Sequence, residues 1–337
     1  MSLKVVLLAG GEGKRLWPAS TKKMPKQFLK LLSNKSMIQI TYERIIELTD
    51  KKNVYVSINS NYISILKQQL PDLDNRNIIT EPIKKNTFFA IIYSSIIVSR
   101  NNNENDNILF VPCDHYFEDW ISFQKKINLG DNIIKSKNEK IFLLGIVPNA
   151  PEIRYGYIKY AKNKKSNVYD VTNFKEKPNT NLAKEYLRSN QYLWNCGIFL
   201  FNLNYFTNYI YVNHNREYLS ICSYIKSRNL SLLDQVTNLP FDKMILEKYN
   251  DCIVAKYNKL WLDLGSWKAL TKILNHDSNN NILFGNVICE DSRNNFFYND
   301  AKEPLIIKSI QSSYVIKANS YVLIGNLKNI DEVGAYD

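Results

Sequence analysis

LLAGGEGKRLWPASTKKMPKQF, at residues 7–28, continues a short apolar strand that we predict over Lys4–Leu8. Glycines at positions 10, 11 and 13 allow the backbone to adopt positive φ and to approach a phosphate group, so that N–H groups can point at its oxygens. Downstream, Arg15 offers a planar fork of donors and Lys26 a mobile point charge. The segment therefore predicts a loop that binds a triphosphate.

Two other phosphate-binding loops fit this segment poorly. The dinucleotide pattern GxGxxG, counted from Gly11, requires a third glycine where Leu16 stands. The Walker pattern requires four residues between its glycines and a hydroxyl after its lysine, whereas Gly13-Lys14 is followed by Arg15. An ordinary glycine turn in a β-α unit would explain the glycines, but neither Arg15 nor Pro25-Lys26.

Short apolar strands alternate with helical stretches along the first half of the chain. Strands are predicted at Lys4–Leu8, Val54–Ile58, Ile78–Thr80, Ile108–Val111 and Ile141–Val147, and helices at Met37–Thr49, Tyr62–Leu70, Thr87–Arg100 and Trp120–Lys135. This alternation predicts a Rossmann-like, doubly wound α/β sheet in which these strands are parallel. Ligands of such sheets bind beyond the carboxyl ends of the strands, where Gly10–Gly13, Glu81 and Asp114 fall.

Several further segments, together with the glycine-rich stretch, resemble the sugar-1-phosphate nucleotidylyltransferases. GGEGKRLWP followed by MPKQF is similar to the start of that family, and its KQF extension is similar to the mannose-1-phosphate guanylyltransferase branch. Further matches follow in order: EPIKKNT (Glu81–Thr87), VPCDH (Val111–His115), LGIVPNAPEIRYGYI (Leu144–Ile158), FKEKP (Phe174–Pro178), YLWNCGIFLF (Tyr192–Phe201) and WLDLGSW (Trp261–Trp267). The resemblance covers residues 3 to about 275 and implies a mixed, glycosyltransferase-A-like sheet.

The resemblance implies a domain organisation and a reaction. We expect a catalytic domain over residues 1–275, with a nucleotide-binding part at 1–147 and a sugar-phosphate-binding part at 148–275. Residues 282–337 are expected to form a small β tail, with a short β-helix as one form, whose open strand edges are compatible with a homodimer. The implied reaction transfers GMP from GTP to mannose 1-phosphate and releases pyrophosphate. No protein nucleophile is required, because the sugar phosphate attacks directly.

Two aspartates and two basic residues are the expected catalytic groups. The resemblance implies that Asp114 and Asp263 hold Mg²⁺, a hard ion that prefers carboxylate and phosphate oxygens. Arg15 is expected along the β and γ phosphates and Lys26 at the α-phosphoryl group or the incoming phosphate. A structural carboxylate and a solvated lysine are the alternatives. A hydrolase dyad of Asp114 with His115 lacks an accompanying GxSxG elbow.

The resemblance also assigns the residues that bind the base and the sugar. Guanine recognition is implied for Glu81, Asn86 and Thr87 with the backbone near Ala9, because a carboxylate can accept from guanine N1 and N2. Either Asn86 or Thr87 can instead be the N-cap of the following helix. The positions that match the sugar-binding residues of the family are Gly156, Glu176 and Asn195, with Lys177 near the phosphate.

Composition excludes several other classes of protein. The net charge of +12 comes from basic residues that are spread along the chain and interleaved with acidic ones, so we expect no nucleic-acid partner. The apolar runs Val5–Ala9 and Phe88–Val98 are too short for a signal peptide and for a membrane span, respectively. We therefore expect a soluble, cytoplasmic protein. Five cysteines without a CxxC pair indicate neither a disulfide framework nor a zinc site.

Other functions remain open at this stage. Within the class, the acceptor could be another sugar 1-phosphate, such as a heptose phosphate, or the donor another nucleotide. A regulator that binds sugar nucleotides without catalysing a reaction would share the fold. Such a regulator would not need the charged residues expected for catalysis, and this chain has them. A dinucleotide oxidoreductase is the most distant alternative.

Overall fold

The computed structural model describes residues 2–100, 106–161 and 167–334. In chain order the strands are β1 (Leu3–Leu8), β2 (Val54–Asn59), β3 (Ile78–Glu81), β4 (Asn107–Pro112), β5 (His115–Phe117), β6 (Ile141–Ile146), β7 (Tyr157–Tyr160), β8 (Val168–Lys175), β9 (Tyr192–Asn202), β10 (Cys252–Tyr257), β11 (Trp261–Asp263), β12 (Ile282–Gly285), β13 (Val287–Glu290), β14 (Phe296–Asn299), β15 (Leu305–Lys308), β16 (Ser313–Ala318) and β17 (Tyr321–Asn326). The α-helices are α1 (Met37–Ile45), α2 (Ile63–Gln69), α3 (Thr87–Ser99), α4 (Trp120–Ser136), α5 (Thr180–Ser189), α6 (Leu203–Asn213), α7 (Asn215–Ser227) and α8 (Trp267–Leu270).

A nine-stranded sheet in the order β3-β2-β1-β4-β9-β6-β10-β8-β7 is the centre of the fold. The predicted α/β class with a mixed sheet and C-terminal β strands is confirmed. The early strands β1, β2, β3, β4 and β6 all run in the same direction, as predicted, but β9 lies between β4 and β6 and is antiparallel to both. β9 is apolar over nearly its whole length and buried, a pattern that suits a central strand of either direction.

Helix α3 supplies much of the core, as its sequence predicts. Its segment TFFAIIYSSIIVS is buried at most positions, including Phe88, Phe89 and Ile91, so it packs on several sides rather than along one stripe.

Two elements differ from the sequence prediction. Helix α5 was not predicted, although Asn179 caps it by accepting a bond from Leu182 N at 2.9 Å. The sequence also predicts a helix over Phe241–Tyr249, but the structure has a π-helix confined to Asp242–Leu246.

The C-terminal strands β12 to β16 stack in parallel pairs, and the last strand, β17, is antiparallel to β16. β12 pairs with β14 and β14 with β16, so that Ile282, Phe296 and Tyr314 occupy successive rungs. A second parallel pair joins β13 to β15. At the turns, the buried Asn295 amide donates to Asn281 Oδ1 at 2.8 Å and links one rung to the next. These parallel rungs match the short β-helix considered for the tail.

Contacts divide the chain into two compact units. The first unit consists of Met1–Ala9, Tyr42–Cys113 and Phe117–Trp261, and it contains the nine-stranded sheet. The second consists of Gly10–Thr41, Asp114–Tyr116 and Leu262–Asp337. The domain boundaries proposed from the sequence stay a prediction. Within the described ranges, none of the helices has both the length and the apolar character that a membrane crossing requires.

Candidate active site

The glycine-rich loop of the second unit closes around the Lys26 side chain. Gly11 and Gly13 have φ values of +120° and +68°, a region that favours glycine. A Cβ at Gly13 would lie 2.6 Å from Lys26 Cβ and 2.8 Å from Ser20 Oγ. A Cβ at Gly10, in contrast, would meet no described atom within 4 Å. The loop is therefore tight on the lysine side and open at Gly10, where a phosphate could approach the backbone.

This tight packing gives a testable consequence for Gly13. We expect Gly13→Ala to lower kcat by about tenfold or more, because a displacement of Lys26 by about 1 Å can cost up to ~10²-fold in rate. Initial rates of nucleotidyl transfer would measure the effect. Gly334→Ala is the matched control, since a Cβ there meets no described atom within 4 Å. A folded Gly13→Ala protein with the kcat of the unchanged protein would contradict this role for the glycine.

Lys26 forms ion pairs with both predicted metal-binding aspartates. Its Nζ pairs closely with Asp114 and lies 3.7 Å from Asp263 Oδ1. Burial by itself would raise the pKa of Asp114, but the Lys26 ammonium, helped by His115, holds that pKa below its ordinary value. The structure thus brings three of the four predicted catalytic residues into one cluster.

The fourth predicted catalytic residue, Arg15, lies beside Asp263. A Cβ added at Gly265 would be 2.9 Å from Arg15 Nη2 and 3.0 Å from Asp263 Oδ1, so both atoms border the glycine. Two further contacts within the second unit hold this arrangement. Trp267 Nε1 donates to the carbonyl oxygen of Trp17 at 2.9 Å, and Leu264 N donates to that of Asp114 at 3.1 Å. The loop and the WLDLGSW segment are therefore fixed to each other.

The carboxylates fit a divalent cation. One ligand atom from each of Asp114, His115 and Asp263 lies within 4.8 Å of the others. Asp263 Oδ1 is buried, yet it accepts no hydrogen bond from the described residues. The Lys26 ammonium at 3.7 Å supplies charge to this oxygen without a hydrogen bond, so a directly bound cation would compensate its burial further. Mg²⁺ is typically held by one or two carboxylates together with substrate phosphates, and Asp114 and Asp263 provide two such carboxylates beside the glycine-rich loop.

The predicted base-binding residues lie in the first unit. Glu81 ends strand β3, is buried, and accepts a hydrogen bond from Ser57 Oγ at 2.8 Å. Burial raises the pKa of Glu81, and the Ser57 bond only partly opposes that rise. A backbone bond of 2.9 Å runs from Ala9 N to Ser57 O. A desolvated carboxylate therefore stands at the carboxyl end of a parallel strand.

Asn86 and Thr87 have structural partners. Asn86 is the N-cap of α3, and its side-chain oxygen accepts from Thr87 N at 3.3 Å. Thr87 Oγ1 accepts from Phe241 N at 2.9 Å. The helix-cap interpretation of Asn86 is thereby confirmed. Recognition of guanine by these side chains stays a prediction, because capping does not use all of their donors and acceptors.

Three predicted sugar-binding residues come together in the first unit. Asn195 N donates to Gly156 O at 2.8 Å, and a Cβ at Gly156 would lie 2.8 Å from Glu176 Oε2. Lys177, which has a φ of +44°, has its Nζ 3.1 Å from Glu176 Oε1. One further residue in contact with this group was not predicted from the sequence: Asp242 accepts a hydrogen bond from the Asn195 amide. Its only sequence signal, an acidic residue at the start of a helical stretch, is common at helix N-termini.

Comparison with known proteins places the chain in a family. The Nucleotidyl transferase family model matches residues 4–280. Mannose-1-phosphate guanylyltransferase RfbM of Salmonella typhimurium is 30% identical over 99% of this chain and 71% of its own length. The mannose-1-phosphate guanylyltransferase of Salmonella montevideo is 32% identical over 97% of this chain and 72% of its own length.

A solved structure shares the fold. The crystal structure described as mannose-1-phosphate geranyltransferase from Thermus thermophilus aligns with a TM-score of 0.86 and 24% identity, over 99% of this chain and 98% of that chain. The likeness therefore extends through the C-terminal strands as well as the nine-stranded sheet. From the family model and the curated relatives together, the chain belongs to the nucleotidyl transferase family, in its mannose-1-phosphate guanylyltransferase branch, and is an enzyme of sugar-1-phosphate nucleotidyl transfer.

Proposed function

We propose that the chain transfers GMP from GTP to α-D-mannose 1-phosphate, giving GDP-mannose and pyrophosphate, with the help of Mg²⁺. The observation that carries the proposal is the cluster in the second unit: Lys26 Nζ pairs with Asp114 and lies 3.7 Å from Asp263, next to the glycine-rich loop. The names of the curated relatives support mannose 1-phosphate as the acceptor and a guanylyl group as the transferred part.

The proposed reaction is a direct displacement at the α-phosphorus. An oxygen of the sugar phosphate forms a bond to that phosphorus, and the bond to the bridging oxygen of the β-phosphate breaks, so that pyrophosphate leaves with its electron pair. The main obstacle is electrostatic, because two anions must meet while more negative charge develops on the leaving group. Arg15 would hold the β and γ phosphates, and Lys26 would stabilise the charge at the α-phosphoryl group.

Asp114 and Asp263 would hold the Mg²⁺ ion. When bound, the ion supplies positive charge to the phosphate oxygens of the nucleotide. Burial of the Asp263 oxygen and the lowered pKa of Asp114, which favours the carboxylate form of that residue, support this role. The backbone at Gly10 would donate N–H groups to phosphate oxygens, because the space where a Cβ would stand is empty there.

Selection of the two substrates would depend on residues of the first unit. Glu81 in its ionised form would accept hydrogen bonds from N1 and N2 of guanine, a donor pair that uracil and adenine lack. Glu176 and Asn195 would bind hydroxyl groups of the sugar. Gly156 has no side chain, and this leaves room for Glu176 Oε2 beside it. Lys177 would contribute a positive charge near the acceptor phosphate.

Pyrophosphate release over a grid of substrates tests the proposal. The donors are GTP, ATP, UTP and dTTP, and the acceptors are mannose, glucose and heptose 1-phosphates, each with Mg²⁺. We expect GTP with mannose 1-phosphate to give the highest kcat/KM. Dominance of UTP or dTTP, or of a heptose phosphate, would overturn the substrate assignment while leaving the reaction class intact. Tight binding of GDP-mannose without turnover on any pair would instead indicate a regulator.

A further inference from the structure

Asp242 and Glu247 each contact one of the predicted acceptor-sugar residues. Asp242 accepts a hydrogen bond from Asn195 Nδ2, and Glu247 Oε1 accepts one from Glu176 N at 3.0 Å. Glu176 lies beside Gly156, whose carbonyl oxygen accepts from Asn195 N. Asp242 therefore contacts the side-chain amide of Asn195, while Glu247 contacts the backbone of Glu176. Carboxylates and amides are the groups that commonly bind sugar hydroxyls, because together they accept and donate.

The hydrogen bonds fix the orientation of the Asn195 amide. Nδ2 donates to Asp242, and Oδ1 accepts from Gly197 N at 3.2 Å. A rotated amide would place its oxygen against the Asp242 carboxylate and its donors against a backbone N–H, so both bonds would be lost. One N–H of Nδ2 and one lone pair of Oδ1 remain for a ligand. These two groups are adjacent and match the acceptor and donor that a pair of neighbouring hydroxyls presents.

The π-helix explains how Asp242 reaches this position. Glu247 N donates to Asp242 O at 3.0 Å, which is the i to i+5 bond of a π-turn. Residues five apart lie close to the same face in that geometry, whereas they diverge widely in an α-helix. The turn therefore directs both Asp242 and Glu247 towards the Glu176 segment. Single π-turns occur frequently at functional sites, where they orient a side chain.

The segment before Asp242 is anchored to the loop that precedes α3. Lys85 Nζ donates to the carbonyl oxygens of Leu233, at 2.6 Å, and of Val236. Phe241 N, immediately before Asp242, donates to Thr87 Oγ1 at 2.9 Å. One hydrogen bond thus holds the start of the π-helix and two hold the chain shortly before it, and none of the three involves the sugar-binding residues. Asp242 is consequently placed by the fold and not by a bound ligand.

We propose that Asp242 is a positioning residue of the acceptor-sugar site, which holds the Asn195 amide in the orientation that binds two neighbouring hydroxyls of the sugar phosphate. This inference rests on the proposed function only in taking Asn195 as an acceptor-binding residue. It adds a residue for which the sequence analysis gave no role. It also predicts that substitution of Asp242 will act on the sugar phosphate and not on the nucleotide.

The charge state of Asp242 gives the proposal a pH signature. Burial, together with the negative charge of Glu176, raises the pKa of Asp242 to about 7, against the opposing effects of Lys177 and of the Asn195 bond. Glu247 faces the same segment and is paired with Lys175 at 3.7 Å. An acid with a raised pKa is ionised only above that value, so the carboxylate that orients Asn195 is lost as the pH falls through about 7. Below it, the protonated acid can also donate to a rotated amide.

The test is the Asp242→Asn variant, measured by pyrophosphate release with the acceptor that the unchanged enzyme uses best. We expect the KM for the sugar phosphate to rise roughly tenfold, the effect of losing a charge-assisted hydrogen bond, while the KM for the nucleotide changes less than about twofold. The KM of the unchanged enzyme for the sugar phosphate should rise further as the pH falls from about 8 to 6 than the KM of the variant does. Titration of the substrate phosphate is common to both proteins and cancels in this comparison.

A double-mutant cycle with Asn195→Ala separates positioning from a merely structural role. If Asp242 acts through Asn195, Asp242→Asn should have little additional effect on the sugar-phosphate KM in the Asn195→Ala background. Asp251→Asn is the matched control, because that side chain is 59% exposed. Additive effects of the two substitutions, or an unchanged KM in Asp242→Asn, would overturn the inference. Failure of the proposed function would look different: the unchanged enzyme itself would prefer another nucleotide or sugar.

Discussion

Lys26→Ala is expected to lower kcat by about a thousandfold, the upper range for loss of one charged or hydrogen-bonding contact to a transition state. Lys26 Nζ is the cation shared by Asp114 and Asp263, and its position is set by the glycine-rich loop that wraps its side chain. Removing it takes away the positive charge expected at the α-phosphoryl group, where charge is redistributed as pyrophosphate leaves. Single-turnover rates with saturating substrates would measure the change without a contribution from product release.

The Lys26→Ala experiment needs a control for folding, since the two aspartates would be left facing each other. We expect Mg²⁺ to raise the thermal midpoint of the variant more than that of the unchanged protein, because the cation replaces the missing ammonium between Asp114 and Asp263. Lys23→Ala, at an exposed position of the same loop, should retain normal kinetics. A folded Lys26→Ala protein that keeps kcat within tenfold of normal would remove this residue from the mechanism.

Asp263→Asn is expected to lower kcat by roughly a thousandfold and to weaken Mg²⁺ binding, because metal-ion stabilisation of a transition state is worth several kcal/mol. The substitution keeps the shape of the side chain and removes its charge. Its effect should therefore come from the lost charge, which acts on the metal and on Lys26, and not from packing. Initial rates over a range of Mg²⁺ concentrations, with calorimetric titration of Mn²⁺ as a binding probe, would separate affinity from turnover.

The matched control for Asp263→Asn is Asp291→Asn, at an exposed position of the same unit. It should bind Mn²⁺ as the unchanged protein does. Normal Mn²⁺ affinity in Asp263→Asn would show that the ion is held elsewhere. Loss of Mn²⁺ binding with kcat intact would separate the carboxylates from catalysis, and either outcome would contradict the assignment.

Local patterns in the sequence predicted the elements of the catalytic cluster well. The strand before Ala9 and the positive-φ glycines could be anticipated from the residues themselves, whereas Asp114 and Asp263 were identified through the family resemblance of the motifs that contain them. The structure adds that Lys26, Asp114 and Asp263 lie together in one compact unit. That finding agrees with the motif analysis, while the catalytic roles themselves stay predictions.

The sequence was less informative where long-range pairing or unusual helix geometry decides the structure. Strand β9 is apolar on both faces, so its composition could not indicate that it enters antiparallel between β4 and β6. Asp242 lies in a stretch that has ordinary helical character, and only the π-turn directs it towards Asn195. Asn86 and Thr87 show the converse, since their polar side chains also serve to cap α3 and to bind Phe241 N.

The most direct test of the account is ³¹P NMR of the protein with GTP, mannose 1-phosphate and Mg²⁺, recorded before and after removal of divalent cations by a chelator. We predict that GDP-mannose and pyrophosphate appear in equal amounts, that the chelator stops their formation, and that added Mg²⁺ restores it. Asp263→Asn should form neither product at a comparable rate. Formation of GDP and inorganic phosphate instead, or an unchanged rate of GDP-mannose formation in excess chelator, would contradict a magnesium-assisted transfer at Lys26, Asp114 and Asp263.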